Sequence, residues 1–309
     1  MKRITFLMKT AVALGVLLAA CGLTQAQVMR SWVSGVGNDA DPCSIFAPCK
    51  TLAGAYSKTI PGGQINVLDS DSVGLLKIDH SITIDASESF TGTLGLAGAD
   101  AIKVVAGKGD VVTLRGLTLY GGGVAENGIS FVSGSLLRVE NCVIYGFTKR
   151  GIDYESSDAN RLVVKDTIIR ENGQAGILVQ PGPGGLAKAS VYHTRLEGNQ
   201  NGLSVLDNAY VTISDSVLAG NNANGLLLLA SAASTETSVE NCLIAHNGGN
   251  GIKASGVGNK ATVRLSGSTV TANDTGLLTG ANGFIDSYGN NNIAGNTTDG
   301  VPSNKIPKT

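Results

Sequence analysis

The sequence predicts an all-β solenoid, a single-stranded parallel β-helix of about ten coils with a short N-terminal capping helix. Three observations carry this. The first is a period. Take the isoleucine two residues after Cys142 as a reference. Matching aliphatic positions are Leu119, Ile144, Ile169, Leu196, Leu218, Ile244, Val270 and Ile293, at intervals of 25, 25, 27, 22, 26, 26 and 23. The second is an asparagine column. Three residues after the reference stand Gly122, Phe147, and then Asn172, Asn199, Asn221, Asn247, Asn273 and Asn296. The third is a Gly-aliphatic pair later in each unit, from Gly128-Ile129 and Gly151-Ile152 to Gly276-Leu277 and Gly300-Val301.

Each unit holds alternating apolar patches with turn residues between them, which reads as short strands. Helical repeats need apolar spacing of three and four, and leucine-rich repeats need leucines at fixed offsets; neither pattern is present. The composition agrees. Glycine is abundant at 42 residues, aromatics make up 5%, charged residues 15%, and the net charge is −1. That balance offers no basic footprint for nucleic acid.

In chain order, residues 1–26 read as a signal peptide. Lys2, Arg3 and Lys9 precede the apolar run Thr10–Ala20, which is too short to span a membrane. Two exits fit. Thr24-Gln25-Ala26 is a small-residue cleavage site, and Leu18-Ala19-Ala20-Cys21 has the form of a lipobox, with Cys21 lipidated. Either exit places the protein outside the cytoplasm, as a secreted or periplasmic protein or as an outer-membrane lipoprotein. The rest of the chain carries no second apolar run of spanning length.

Residues 27–61 form an N-terminal extension. In DPCSIFAPCK, Cys43 and Cys49 lie six apart, each preceded by proline, and a disulfide between them is expected in an exported chain. A metal site there would lack further His or Cys ligands. TLAGAYSK (Thr51–Lys58) places Leu52, Ala55 and Tyr56 on one helical face, suited to covering the bare edge of the first coil. The β-helix is assigned to 62–301. The final 302–309, with two prolines and little apolar surface, read as a flexible tail.

Within the coils, the asparagines bend the chain sharply and can ladder from coil to coil. Two residues before the reference stand Leu117, Cys142, Thr167, Thr194, Ser216, Cys242, Ser268 and Asn291, mostly small. Four coils separate Cys142 from Cys242, or about 19 Å. That exceeds the reach of a disulfide, so both are expected as buried free thiols.

The order WVSGVGNDADPC (Trp32–Cys43), APCKTLAGAYSK (Ala47–Lys58), GGQINVLDS (Gly62–Ser70), SITIDAS (Ser81–Ser87) and then the coils resembles secreted bacterial right-handed β-helix repeat proteins of the pectin-lyase-like superfamily. The resemblance covers nearly the whole mature chain and implies a right-handed coil. Its branch has no assigned reaction. Other members cleave acidic polysaccharides with calcium-binding acidic sets or with short Asp-Asp, Gly-His-Gly and Arg-Ile-Lys motifs. None of these motifs stands in this sequence, so no family active site carries over.

Two constellations remain. Three residues before the reference, Asp166, His193 and Asp215 fall on successive coils, close enough for carboxylate–imidazole acid–base chemistry. Their whole column, however, consists of Gly, Asn, Asp and His, the residues of left-handed turns. One residue after the reference, Tyr120, Tyr145, Arg170 and Glu197 form an outward strip that fits a sugar chain; as plain surface they read as stacked tyrosines and an Arg170–Glu197 ion pair. KRGIDYE (Lys149–Glu155) adds charge to the same region. No metal site and no cofactor are called for. The expected function is binding of a polysaccharide or cell-envelope component without catalysis. The alternative is a polysaccharide lyase or glycoside hydrolase.

Overall fold

The computed structural model of the protein describes residues 27–69, 75–89 and 91–307. The segment read as a signal peptide, with Cys21 and the site after Ala26, lies outside the described residues. Three parallel sheets run the length of the molecule: one of 12 strands (sheet 1) and two of nine (sheets 2 and 3). Nine strands in each smaller sheet give about nine coils among the described residues, close to the ten expected.

One coil shows how the period arises. Leu136–Glu140 lies in sheet 1. Asn141, at φ 52°, turns the chain into Val143–Tyr145 of sheet 2. Gly146, at φ 72°, starts the next bend, which leads to Arg150–Tyr154 of sheet 3. The chain then returns to sheet 1 at Ala159–Lys165, where Arg161 pairs with Leu136. Both left-handed positions recur. Asp166, His193, Asp215 and Asn241 repeat the first at φ 48–51°, and Glu171, Gly198, Gly220, His246, Ala272 and Gly295 repeat the second at φ 53–77°.

Inward residues stack in register, so each coil supplies aliphatic side chains to one continuous core. Ile144, Ile169, Leu196, Leu218, Ile244 and Val270 are fully buried. Ile152, Ile177, Leu203, Leu226 and Ile252 form a second such column.

The asparagine column is internal and fully used. The Nδ2 of Asn221 donates to Asn247 Oδ1 at 2.9 Å and to the Leu196 carbonyl at 3.1 Å, while its backbone N–H also reaches Asn247 Oδ1 at 3.1 Å. The same pattern joins Asn172 to Asn199, Asn199 to Asn221, Asn247 to Asn273, and Asn273 to Asn296. Asp299 closes the ladder, accepting from Asn296 Nδ2 at 2.9 Å, and that bond holds its carboxyl below the usual value. A second, shorter ladder was not anticipated. Asn250 donates to Asn224 and Asn224 to Asn201, each at 2.7 Å. These residues sit just before the Gly-aliphatic pairs, so the signal was present in the same units.

The small column is polar for a reason. Thr167 Oγ1 donates to the Lys165 carbonyl at 2.7 Å and accepts the Cys142 N–H at 3.3 Å, tying the first turn to the next coil. Cys142 and Cys242 fit the same slot, donating to the Glu140 and Glu240 carbonyls at 3.3 and 3.1 Å. Both are buried free thiols.

At the N-terminus, β1 (Val28–Val33) is followed by the Cys43–Cys49 disulfide loop, with Cα atoms 4.6 Å apart. Helix α1 (Leu52–Lys58) is capped by Thr51, whose Oγ1 accepts the Gly54 N–H, and it buries Leu52 and Ala55 beside β1 and β2 (Thr59–Val67). Because β1 pairs in parallel with β2, sheet 1 starts inside the segment assigned to the extension, well before residue 62. The C-terminal segment is likewise tied down rather than free. Asn304 and Lys305 pair with Asp286 and Ser287 at the other end of sheet 1, because that edge still offers unpaired backbone groups.

Candidate functional site

The core accounts for the inward residues, so binding chemistry belongs to outward columns and to the loops that leave the period. Asp166, His193 and Asp215 occupy the left-handed turn between sheets 1 and 2. His193 Nδ1 stands 3.5 Å from Asp166 Oδ1, both side chains about half exposed. Asp215 instead accepts from Asn241 Nδ2 at 3.4 Å. The turn thus aligns three residues, of which Asp166 and His193 are in contact.

On sheet 2, Tyr120, Tyr145, Arg170 and Glu197 follow one another in register. The Tyr120 and Tyr145 rings stack at 4.7 Å, and the Arg170 guanidinium lies 4.3 Å from the Tyr145 ring centre. Tyr145 therefore gives both faces to its neighbours and turns its edge toward solvent. The Arg170–Glu197 pair does not form. Arg170 meets Glu171 at 2.6 Å, the next residue, swung outward by its left-handed turn, and Glu197 meets Arg195 at 2.5 Å, on the same side of its own strand.

Lys149 and Arg150 are paired as well, with Glu126 and Asp153, each at 2.6 Å. Asp153 lies on the outward side of its strand yet is almost fully buried, its side chain 7% exposed. Burial pushes its carboxyl up, partly opposed by Arg150; Glu155, two residues on, is raised by burial and then by the charge of Asp153. Both line a cleft of about 730 Å3 at the corner between sheets 3 and 1.

The outward face of sheet 1 holds a different arrangement. Arg161 and Lys188 are register partners on adjacent strands, and Tyr210 follows Lys188. Arg138 stands one strand before Arg161 and two residues along. All three cations are exposed, and among the described residues none forms an ion pair. Arg161, Lys188 and Tyr210 line a shallow depression of about 380 Å3, closed on one side by the Arg264–Glu236 pair at 2.7 Å. Sequence reasoning passed over this strip, although Arg161 and Lys188 are separated by the same 27 residues as Ile169 and Leu196.

Among the described residues, no group of three His, Cys, Asp or Glu side chains is placed to hold a metal ion. No helix there is long and apolar enough to cross a membrane.

The family model described as "right handed beta helix region" matches residues 64–208 and 183–298. The chain belongs to this family. A right-handed β-helix by this match, it is similar in structure to a pectate lyase, with a TM-score of 0.60 and 14% identity, over 90% of this chain and 80% of that one. A tailspike protein from an Acinetobacter baumannii bacteriophage, a capsular polysaccharide depolymerase, matches at a TM-score of 0.49 and 11% identity, over 73% of this chain. The β-helix spans about half of that tailspike, 52%. The A-module of an Azotobacter vinelandii mannuronan C-5 epimerase matches at 0.43 and 13%, over 83% of this chain and 93% of its own. At these identities the likeness is one of fold. A search of curated proteins finds no match.

Proposed function

We propose that this is an exported β-helix protein that binds an acidic polysaccharide or cell-envelope polymer along sheet 1 without cleaving it. The observation that supports this reading is the Arg138–Arg161–Lys188 strip. Two like charges directly opposite on neighbouring strands repel each other. Strands are spaced at about 4.8 Å, so the cations repeat along an extended surface. A polyanion lying along the coil axis relieves that repulsion, and Tyr210 continues the strip with an exposed ring. The disulfide fits an oxidising compartment, in line with export.

The alternative is a lyase or hydrolase, favoured by the 3.5 Å contact between His193 and Asp166. Polygalacturonate binding, measured alongside release of unsaturated or reducing ends, separates the two. Salt-sensitive binding without product is expected. Release of product that is lost in His193→Ala overturns the non-catalytic reading, and an absence of binding overturns both.

A further inference from the structure

The cleft at the corner between sheets 3 and 1 belongs to neither of the surfaces above. It exists because the loops at this corner leave the period. The segment Pro181–Gly185 lies down over residues 155–157: Gly182 N–H donates to the Ser156 carbonyl, and a Cβ added at Gly182 would stand 2.3 Å from Ser157 Oγ. The opposite wall is pinned from one place. Asp207 Oδ1 accepts the N–H groups of Ser231 and Ala232 at 2.6 and 2.8 Å, and Asn208 Nδ2 donates to the Gly185 carbonyl at 2.5 Å. Both loops are therefore held in position before any ligand arrives.

The volume falls within the range of small-ligand sites. The lining combines two chemistries. Pro181 and Pro183 supply apolar surface on the loop wall, above Leu178, which is itself buried beside its register partner Asp153. Arg150, Asp153, Glu155 and Gln180 supply planar hydrogen-bonding groups, both donors and acceptors. The Arg150–Asp153 pair neutralises itself on the floor, and the other charged groups of the lining, Glu155 and Asp207, are carboxylates, so the cleft disfavours a polyanion. Planar polar groups suit adjacent hydroxyls, and an aliphatic patch suits the C–H face of a pyranose ring.

We propose that this cleft binds a neutral, hydroxyl-rich saccharide unit, held by Glu155 and Gln180 against the loop prolines Pro181 and Pro183, at a site separate from the cationic strip of sheet 1. Titration calorimetry with neutral hexasaccharides of the cellulose, laminarin, xylan and amylose types tests it. At least one binds saturably to the parent protein. Glu155→Ala and Gln180→Ala, both exposed positions that leave the melting curve unchanged, each weaken that binding about tenfold or more. Arg161→Glu leaves it unchanged. Failure of all four sugars to bind, equal affinity in the parent and both cleft variants, or loss of binding in Arg161→Glu overturns the assignment. Polygalacturonate binding is read separately, so failure here and failure of the sheet 1 reading are told apart.

Discussion

Arg161 and Lys188 face each other across adjacent parallel strands on the outside of sheet 1, and among the described residues neither forms an ion pair with a carboxylate. Such a pair carries a small cost to the fold. Arg161→Glu replaces repulsion with a cross-strand ion pair. We expect stability to rise by about 0.5 kcal/mol in urea unfolding. Binding to polygalacturonate should fall at least about tenfold in the same variant. A variant that loses stability, or that keeps full binding, contradicts the role given to this pair.

The buried thiols give a chemical readout. Burial pushes the Cys142 thiol up to about 12 and the Cys242 thiol up to about 11, from an ordinary 9.0. Both therefore stay protonated in the native protein at neutral pH and react slowly with alkylating reagents. Denaturation without reductant exposes two reactive thiols, while Cys43 and Cys49 remain bonded. The folded state holds these protons more tightly than the unfolded one. Stability is thus undiminished below pH 9.0 and falls as pH rises from there toward the folded values. Unfolding midpoints measured across alkaline pH check the sign.

Asn247 is the middle of the long ladder. It accepts from the backbone and side chain of Asn221 and donates to the Leu218 carbonyl and to Asn273. Asn247→Ala takes this partner from the Asn221 N–H and side-chain amide and from the Leu218 carbonyl, all on the preceding coil. A loss of about 2–4 kcal/mol is expected in chemical denaturation. A loss under about 1 kcal/mol would mean that water or backbone shifts replace the ladder.

Ala272 is exposed and sits at φ 53°, in a column otherwise filled chiefly by glycine. A Cβ in this conformation presses on its own carbonyl. Ala272→Gly should stabilise the protein by about 1 kcal/mol, read as a higher melting temperature. Ala245→Gly, in a regular strand one coil earlier, should do the opposite.

Much of this architecture was legible in the chain. The aliphatic reference column predicted the sheet 2 core, the asparagine column its ladder, and the coil count between Cys142 and Cys242 their status as free thiols. The sheet ends were harder. Strand β1 and the pair Asn304–Lys305 lie outside the repeats, and only their partners in space reveal them as strands. The same limit applied to the ion pairs. Arg170 and Glu197 share a column, yet long side chains choose the nearest opposite charge, and Glu171 and Arg195 are nearer.

What the chain determined by itself was the coil: its period, its inward columns and the first of its bends; the second bend, expected at the asparagines, falls on the residue before each of them, from Glu171 to Gly295. Backbone hydrogen bonding between coils demands that every unit return to the same register, so these features must repeat and can be counted. What only the tertiary structure decided was the surface. The cleft over Asp153 is made by loops of unequal length, and the cationic strip joins residues from separate coils. Neither is required by the period, because neither takes part in the stacking that enforces it.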